Sequence, residues 1–146
     1  EGPMLAKRAY DTYLRGCGIK RLGRDLRSQM NRALQQAIRQ HHVTSADEWK
    51  AKGLIKTIVR IKGSPPIILR QRGPRTFEEL PPSEVLVAAS LVMQDAPFQK
   101  GSDEHLRAIL ERFDLKRLTI STGAQLLEIL EMNFDYVHKW LEENGI

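Results

Sequence analysis

Arg24, Ser28, Asn31, Arg32, Gln35 and Arg39 recur at spacings of three, four and one within residues 19–40, IKRLGRDLRSQMNRALQQAIRQ. At about 100° per residue these six share one side of a helix. Guanidinium groups neutralise phosphates, and guanidinium or amide forks pair with base edges, so this is the chemistry of a helix laid against a nucleic-acid groove. Lys20, Arg21 and Arg27 add cations at the front of the same stretch. Leu26, Met30, Ala33, Leu34 and Ala37 fall on the opposite, apolar side. A face turned only to water usually mixes signs, because an acid four residues before a base is favourable. Here the one acid is Asp25, near the helix start. The plainer alternatives are a solvated amphipathic face and a face for a protein partner.

Other chemistries find little support. His41 and His42 are adjacent and cannot chelate as an i, i+4 pair would, and His105 and His138 stand alone, so no metal is expected. No GxxxxGK[ST] loop, GxSxG elbow or GxGxxG after a strand occurs. Glu78 and Glu79, between Arg75 and Pro81-Pro82, suit turn and ion-pair roles better than acid–base work. Cys17, the single cysteine, lies between Gly16 and Gly18 with no histidine nearby; it reads as a small helix-end residue and fits a reducing, cytoplasmic compartment. A non-enzymatic chain without cofactor is the expectation.

Charge is distributed along the chain in a way that supports a polyanion partner. Residues 1–42, 43–82 and 83–146 carry balances of +6, +4 and −5, which make up the net +5. A basic front and acidic back suit one end meeting nucleic acid while the other faces solvent or protein. With 146 residues, 41% apolar, the chain can bury a core as one domain or as two small units. No apolar run is long enough to cross a bilayer, and EGPMLAKR lacks signal-peptide character, so no membrane partner is expected. The opening Glu-Gly-Pro suggests an excised fragment.

Positioning these residues requires the following elements. Pro3 suits a first helical residue, and Met4, Leu5, Ala9, Tyr10, Tyr13 and Leu14 form its apolar stripe up to Gly16. Gly16 and Gly18 end that helix, Ile19 reads as the buried residue of a tight turn, and Gly23 opens the long basic helix. Helix, glycine turn and basic helix make a helix-turn-helix. Val43-Thr44, a polar loop and a strand over LIKTIVRI, residues 54–61, then read as a wing, with Ile55, Thr57, Val59 and Ile61 on one face and Lys56, Ile58 and Arg60 on the other. Residues 62–84 read as the wing's far end and a connector, whose Lys62, Arg70, Arg72 and Arg75 form a second basic cluster; Ile67-Ile68-Leu69 implies a packed strand there. Ser83 is the expected N-cap of a buried helix over residues 83–94. Lys56, Arg60, Lys62, Arg70 and Arg72 are expected to join the helix face as nucleic-acid contacts.

The halves repeat weakly. Glu1-Gly2-Pro3-Met4 resembles Asp95-Ala96-Pro97-Phe98, and Ile19-Lys20-Arg21-Leu22 resembles Leu115-Lys116-Arg117-Leu118. The second unit then holds helices over residues 83–94, 102–113 and 122–131, but Glu128 and Glu131 replace a basic face, so its role is structural or protein-facing. In the tail, Phe134, Val137, Trp140 and Leu141 form the apolar stripe of a short helix expected to pack back in cis. Leu26, Met30, Leu34, Val85, Leu91, Leu110, Leu126, Leu130 and Trp140 are the expected core.

The EGP start, the Lys-Arg glycine turn and RxxGPRTFEELPPSEV together resemble the C-terminal domain of unknown function on large bacterial superfamily 1 helicases that also carry a Vsr-like endonuclease domain. The resemblance spans roughly residues 1–130. It implies a winged-helix-like, non-catalytic module appended to a DNA-processing motor, with a helicase core as partner in the same polypeptide or complex. The expected architecture is mainly α, a winged helix-turn-helix with a short β wing and two related helical units, divided into residues 1–75 and 76–146. Duplex DNA binding is the expected function. A protein-docking module acting through the acidic second unit and tail is the alternative, and an RNA-binding regulatory domain a third.

Overall fold

A computed structural model describes residues 2–146. In chain order it contains β1 (Met4–Leu5), α1 (Ala6–Gly16), α2 (Arg24–Arg39), β2 (Val43–Ala46), β3 (Ile58–Ile61), α3 (Pro82–Asp95), α4 (Asp103–Arg112), α5 (Ile120–Leu130) and α6 (Asp135–Glu143), with one 3₁₀ turn at Phe77–Glu79. The fold is mainly helical with a small antiparallel sheet of order β1-β3-β2. No helix among the described residues is long and apolar enough to cross a membrane. The chain divides into two compact units, the first ending at Pro66 and the second covering residues 67–146. That boundary precedes the expected one after Arg75. Ile67 packs with Val87 and Val137, and Arg75 bonds Glu84, which ties the connector to the second unit.

In the first unit β3 is the central strand, with Met4 opposite Val59 and Leu5 opposite Ile58 on one side and Val43 opposite Ile61 on the other. Met4 and Leu5 are thus a strand rather than the first turn of a helix. The sheet also explains where α1 begins. Leu5 offers no side-chain cap, but the N–H groups of Ala6 and Lys7 donate to the Thr57 and Ile55 carbonyls at 2.8 and 2.9 Å, satisfying donors a helix start leaves unpaired. Residues 54–57 therefore turn and cap instead of extending the strand, which starts only at Ile58. The expected alternation fails: Thr57, Ile58 and Val59 are all buried, while Ile61 is 71% exposed.

Ala6, Tyr10 and Val59 form the heart of this unit, with Leu22, Met30, Leu34 and Val43 packed against it. α2 rests on this cluster through a half-buried stripe of Leu26, Met30, Leu34, Ala37 and Ile38, and no α2 residue is fully buried. Ala33 is exposed, and so is Ile19, both expected inside.

The second unit is built around α3, in which Val85, Val87 and Ala88 are fully buried. Pro81 is its N-cap and Pro82 its first residue, a position that needs no N–H. Ser83 is accordingly inside the helix and 1% exposed, not the cap. Ser102 and Thr119 cap α4 and α5, accepting from the N–H groups of His105 and Thr122. Val137 of α6 packs with Ile67 and Val87, and Phe134, Trp140 and Leu141 lie against them. Ile67 is buried but residues 67–69 form no strand. Of the expected core, Val85, Leu110, Leu126 and Leu130 are buried, whereas Leu26, Met30, Leu34, Leu91 and Trp140 are half-buried.

Both units contain the same helix–turn–helix construction. α1 ends with Ile19 N–H bonded to Leu14 C=O and Gly18 N–H to Arg15 C=O, at 2.8 and 3.0 Å; α4 ends with Leu115 N–H on Leu110 C=O and Asp114 N–H on Glu111 C=O, both 2.9 Å. This paired closure needs a left-handed residue, supplied by Gly18 (φ +78°) and Asp114 (φ +55°). Gly23 and Thr119 then stand at matching positions as N-caps of α2 and α5.

Candidate nucleic-acid interface

Arg24, Arg27, Ser28, Arg32, Gln35 and Arg39 are all exposed on α2. They are exposed because the helix seats its half-buried stripe on the Tyr10–Val59 cluster, which turns the polar arc outward. Asn31 departs from the set. It is half-buried at the edge of the arc, and its Oδ1 accepts the Tyr10 hydroxyl at 2.9 Å. Burial pushes the Tyr10 phenol up to about 12, so it stays a donor and holds Asn31 in place.

Among the described residues, Lys20, Arg21, Arg24, Arg27, Arg32 and Arg39 form no ion pair. Their charge is therefore uncompensated at close range, and it projects as a positive field from one end and one face of α2. Along the sheet, Lys56 holds its ammonium 5.9 Å over the Trp49 ring, Arg60 bonds the Ser64 carbonyl, and Lys62 is exposed just past β3. The loop of residues 47–57 joining β2 to β3 also exposes Lys50 and Lys52. Those two lysines lie in a polar stretch without periodicity, and their place beside the strand connection is visible only once β2 and β3 are paired.

A cleft of about 630 Å³ opens where α1 meets the turn into α2. It is lined by the apolar Leu14, Ile19, Leu22 and Ile55 together with Lys7, Arg15, Lys20, Arg21 and Arg27. The one acid there, Asp11, is paired to Lys7 at 2.6 Å. Lys7 and Arg15 carry no helical signal linking them to α2, because the turn brings them there.

No family model, curated protein or solved structure matches the chain.

Arg70 and Arg72 are used differently from the α2 cations. Arg75 and Glu84, each 2% exposed, form a two-pronged pair at 2.7 and 2.9 Å, and Arg70 adds a longer contact to Glu84 at 3.3 Å. Arg72 donates to the Phe113 and Arg75 carbonyls at 3.0 and 2.7 Å, while Arg75 donates back to Arg72 and Gln71. Thr76 and Glu79 close the adjoining 3₁₀ turn as a reciprocal cap, and Phe77 and Leu80 are buried beside it. The run RxxGPRTFEELPPSEV thus folds as one internal polar network in the second unit, and both arginines are engaged within it.

On α5 and its C-cap the positions matching Arg24, Ser28, Arg32 and Gln35 are Ile120, Ala124, Glu128 and Glu131, all exposed. Ile120 is 96% exposed and Leu127 46%. The second unit also holds a cavity of about 610 Å³ lined mainly by Leu86, Met93, Leu130, Phe134 and Leu141, with His105 and Lys100 at its border. His105 is buried, accepts the Gly101 N–H at Nδ1, and has its pKa lowered by desolvation against an opposing effect of the Ala89 carbonyl. Among the described residues no group of three His, Cys, Asp or Glu side chains could hold a metal ion.

Proposed function

We propose that the first unit is a winged-helix module that binds duplex DNA through α2, acting as a non-catalytic accessory to a DNA-processing enzyme in the cytoplasm. The observation that carries this reading is the α2 face, where Arg24, Ser28, Arg32, Gln35 and Arg39 are exposed with no carboxylate and no ion pair among them. The order β1-β3-β2 around two successive helices, with a lysine-bearing loop between β2 and β3, supports a wing beside a recognition helix. Asn31 is assigned to positioning, through Tyr10, rather than to base contact. Lys56, Arg60 and Lys62 remain phosphate contacts in this reading, while Arg70 and Arg72 hold the second unit together. The second unit is a related helix-turn-helix whose exposed helix carries Ile120, Leu127, Glu128 and Glu131, which supports a protein-facing role. The resemblance of the connector run to the helicase-associated domain favours a helicase core as the attached enzyme.

The test is a titration of the chain with a short duplex across a range of salt. Phosphate contacts release counterions, so affinity should fall steeply with salt, and Arg24→Ala, Arg32→Ala and Arg39→Ala together should lower the log–log slope by roughly one unit for each arginine that meets a phosphate. Absence of binding at low salt would end this reading and leave protein docking through α5.

A further inference from the structure

We propose that the cleft beside the α1–α2 turn takes a phosphorylated nucleic-acid strand end, with the terminal phosphate among its cations and the last nucleotide on its apolar lining. The proposal rests on the reading of α2 as the nucleic-acid face.

Three observations carry it. Lys7, Arg15, Lys20, Arg21 and Arg27 converge on one recess, and Lys7 alone is neutralised, by Asp11. The recess, at about 630 Å³, is in the size range of small-molecule sites and too large for a bare phosphate group. Its lining includes Ile19, which the fold leaves 37% exposed although apolar, so a flat hydrophobic group has something to cover. A recess with an apolar lining has room for a nucleotide that projects from the strand, as one at a strand end does. α2 also begins in this recess at Gly23, which offers no side-chain cap.

The second unit supplies an internal control. It repeats the same turn and retains Lys116 and Arg117 where the first unit has Lys20 and Arg21. At the positions of Lys7, Arg15 and Arg27, however, it carries Asp103, Glu111 and Gly123. The turn therefore forms without those three cations and does not require them, although Lys7 pairs with Asp11 and Arg15 bonds the Asp11 carbonyl within α1.

The experiment compares binding of the full chain to hairpin duplexes that differ only in a phosphate on the 5′ end, on the 3′ end or on neither. A closed dumbbell without ends and a free mononucleotide complete the set. One phosphorylated hairpin should bind about tenfold tighter than the unphosphorylated hairpin and the dumbbell, a difference of about 1.4 kcal/mol. Arg15→Ala with Arg27→Ala should erase that preference, leave dumbbell binding measurable and leave the melting temperature unchanged. Equal affinity for all ends, or a preference that survives the double substitution, would overturn the strand-end site while the α2 reading stands. A free mononucleotide that competes as well as the phosphorylated hairpin would also overturn it, since the ligand would then be a soluble nucleotide. A dumbbell that fails to bind at low salt would remove the α2 reading and this proposal with it.

Discussion

Arg75→Met separates cations that hold the fold from cations that face outward. The substitution keeps an unbranched stem of similar reach but withdraws two charge-assisted bonds, at 2.7 and 2.9 Å, from a Glu84 carboxylate that is 2% exposed. It also removes the guanidinium donors from the Arg72 and Gln71 carbonyls, leaving Arg72 with the Arg75 backbone N–H at 3.3 Å. Breaking one side of a buried pair costs about 3 to 5 kcal/mol, because a charge is left in a poor solvent. Arg70, still 3.3 Å from the same carboxylate, offsets part of that, so about 3 kcal/mol is expected. Urea unfolding followed by circular dichroism reads it: with a slope of about 1.5 kcal/mol per molar, the midpoint of the second unit should drop by about 2 M. Replacing both partners, Arg75→Met with Glu84→Met, removes the buried acid but also takes from Arg70 its acceptor at 3.3 Å, so the double change should recover only part of the loss. Duplex affinity at low salt should be unchanged by either. A single variant within about 0.5 kcal/mol of the parent, or a double variant worse than the single, would refute this account.

Tyr10 is neutral when folded and its pKa is raised from 10.0 to about 12, so its contribution is complete below pH 10 and disappears as pH rises from there to about 12; Tyr10→Phe should flatten that alkaline decline in a melting-temperature series. His105 shifts the other way, to below 6.5, so the unfolded chain binds the proton first and stability should fall as pH drops below about 6.5. His105→Asn, which keeps an acceptor for the Gly101 N–H, should remove that acid slope in denaturant titrations. Leu110→Ala, at a site 1% exposed, should cost about 2 to 5 kcal/mol, whereas Leu34→Ala on half-buried α2 should cost nearer 1 to 2; equal losses would show α2 to be more tightly packed than its exposure indicates.

Elements whose signal is local were legible. α2, α4 and α6 repeat their apolar residues every three or four positions, and the α3 run from Val85 is apolar on nearly all sides, so sequence alone locates each to within a few residues. Met4–Leu5 is not so located, since two residues carry no period and their strand character comes from Val59 and Ile58, far along the chain. The alternation at 54–61 extends past the real strand for a related reason: Ile55 and Thr57 give their carbonyls to α1, a use no alternation pattern displays. In the interface, the outward arc of α2 followed from periodicity alone. Asn31 was placed on that arc because the Tyr10 hydroxyl that claims it lies on another helix. The charge of Arg70 and Arg72 is visible in sequence, whereas their commitment to Glu84 and Phe113 depends on how the connector folds over α3 and α4.

The matched turns of the two units make their surface chemistry transferable. Since α1 and α4 end alike and α2 and α5 start at corresponding positions, Arg24, Ser28 and Arg32 of α2 have exposed counterparts in Ile120, Ala124 and Glu128 of α5. Replacing Ile120, Ala124, Glu128 and Glu131 with arginine, serine, arginine and glutamine would copy the basic face onto the second unit without touching buried Leu126, Ile129 or Leu130. The same turn thus leads into helices of different surface chemistry, while the elements around it differ, a three-stranded sheet in the first unit and further helices in the second.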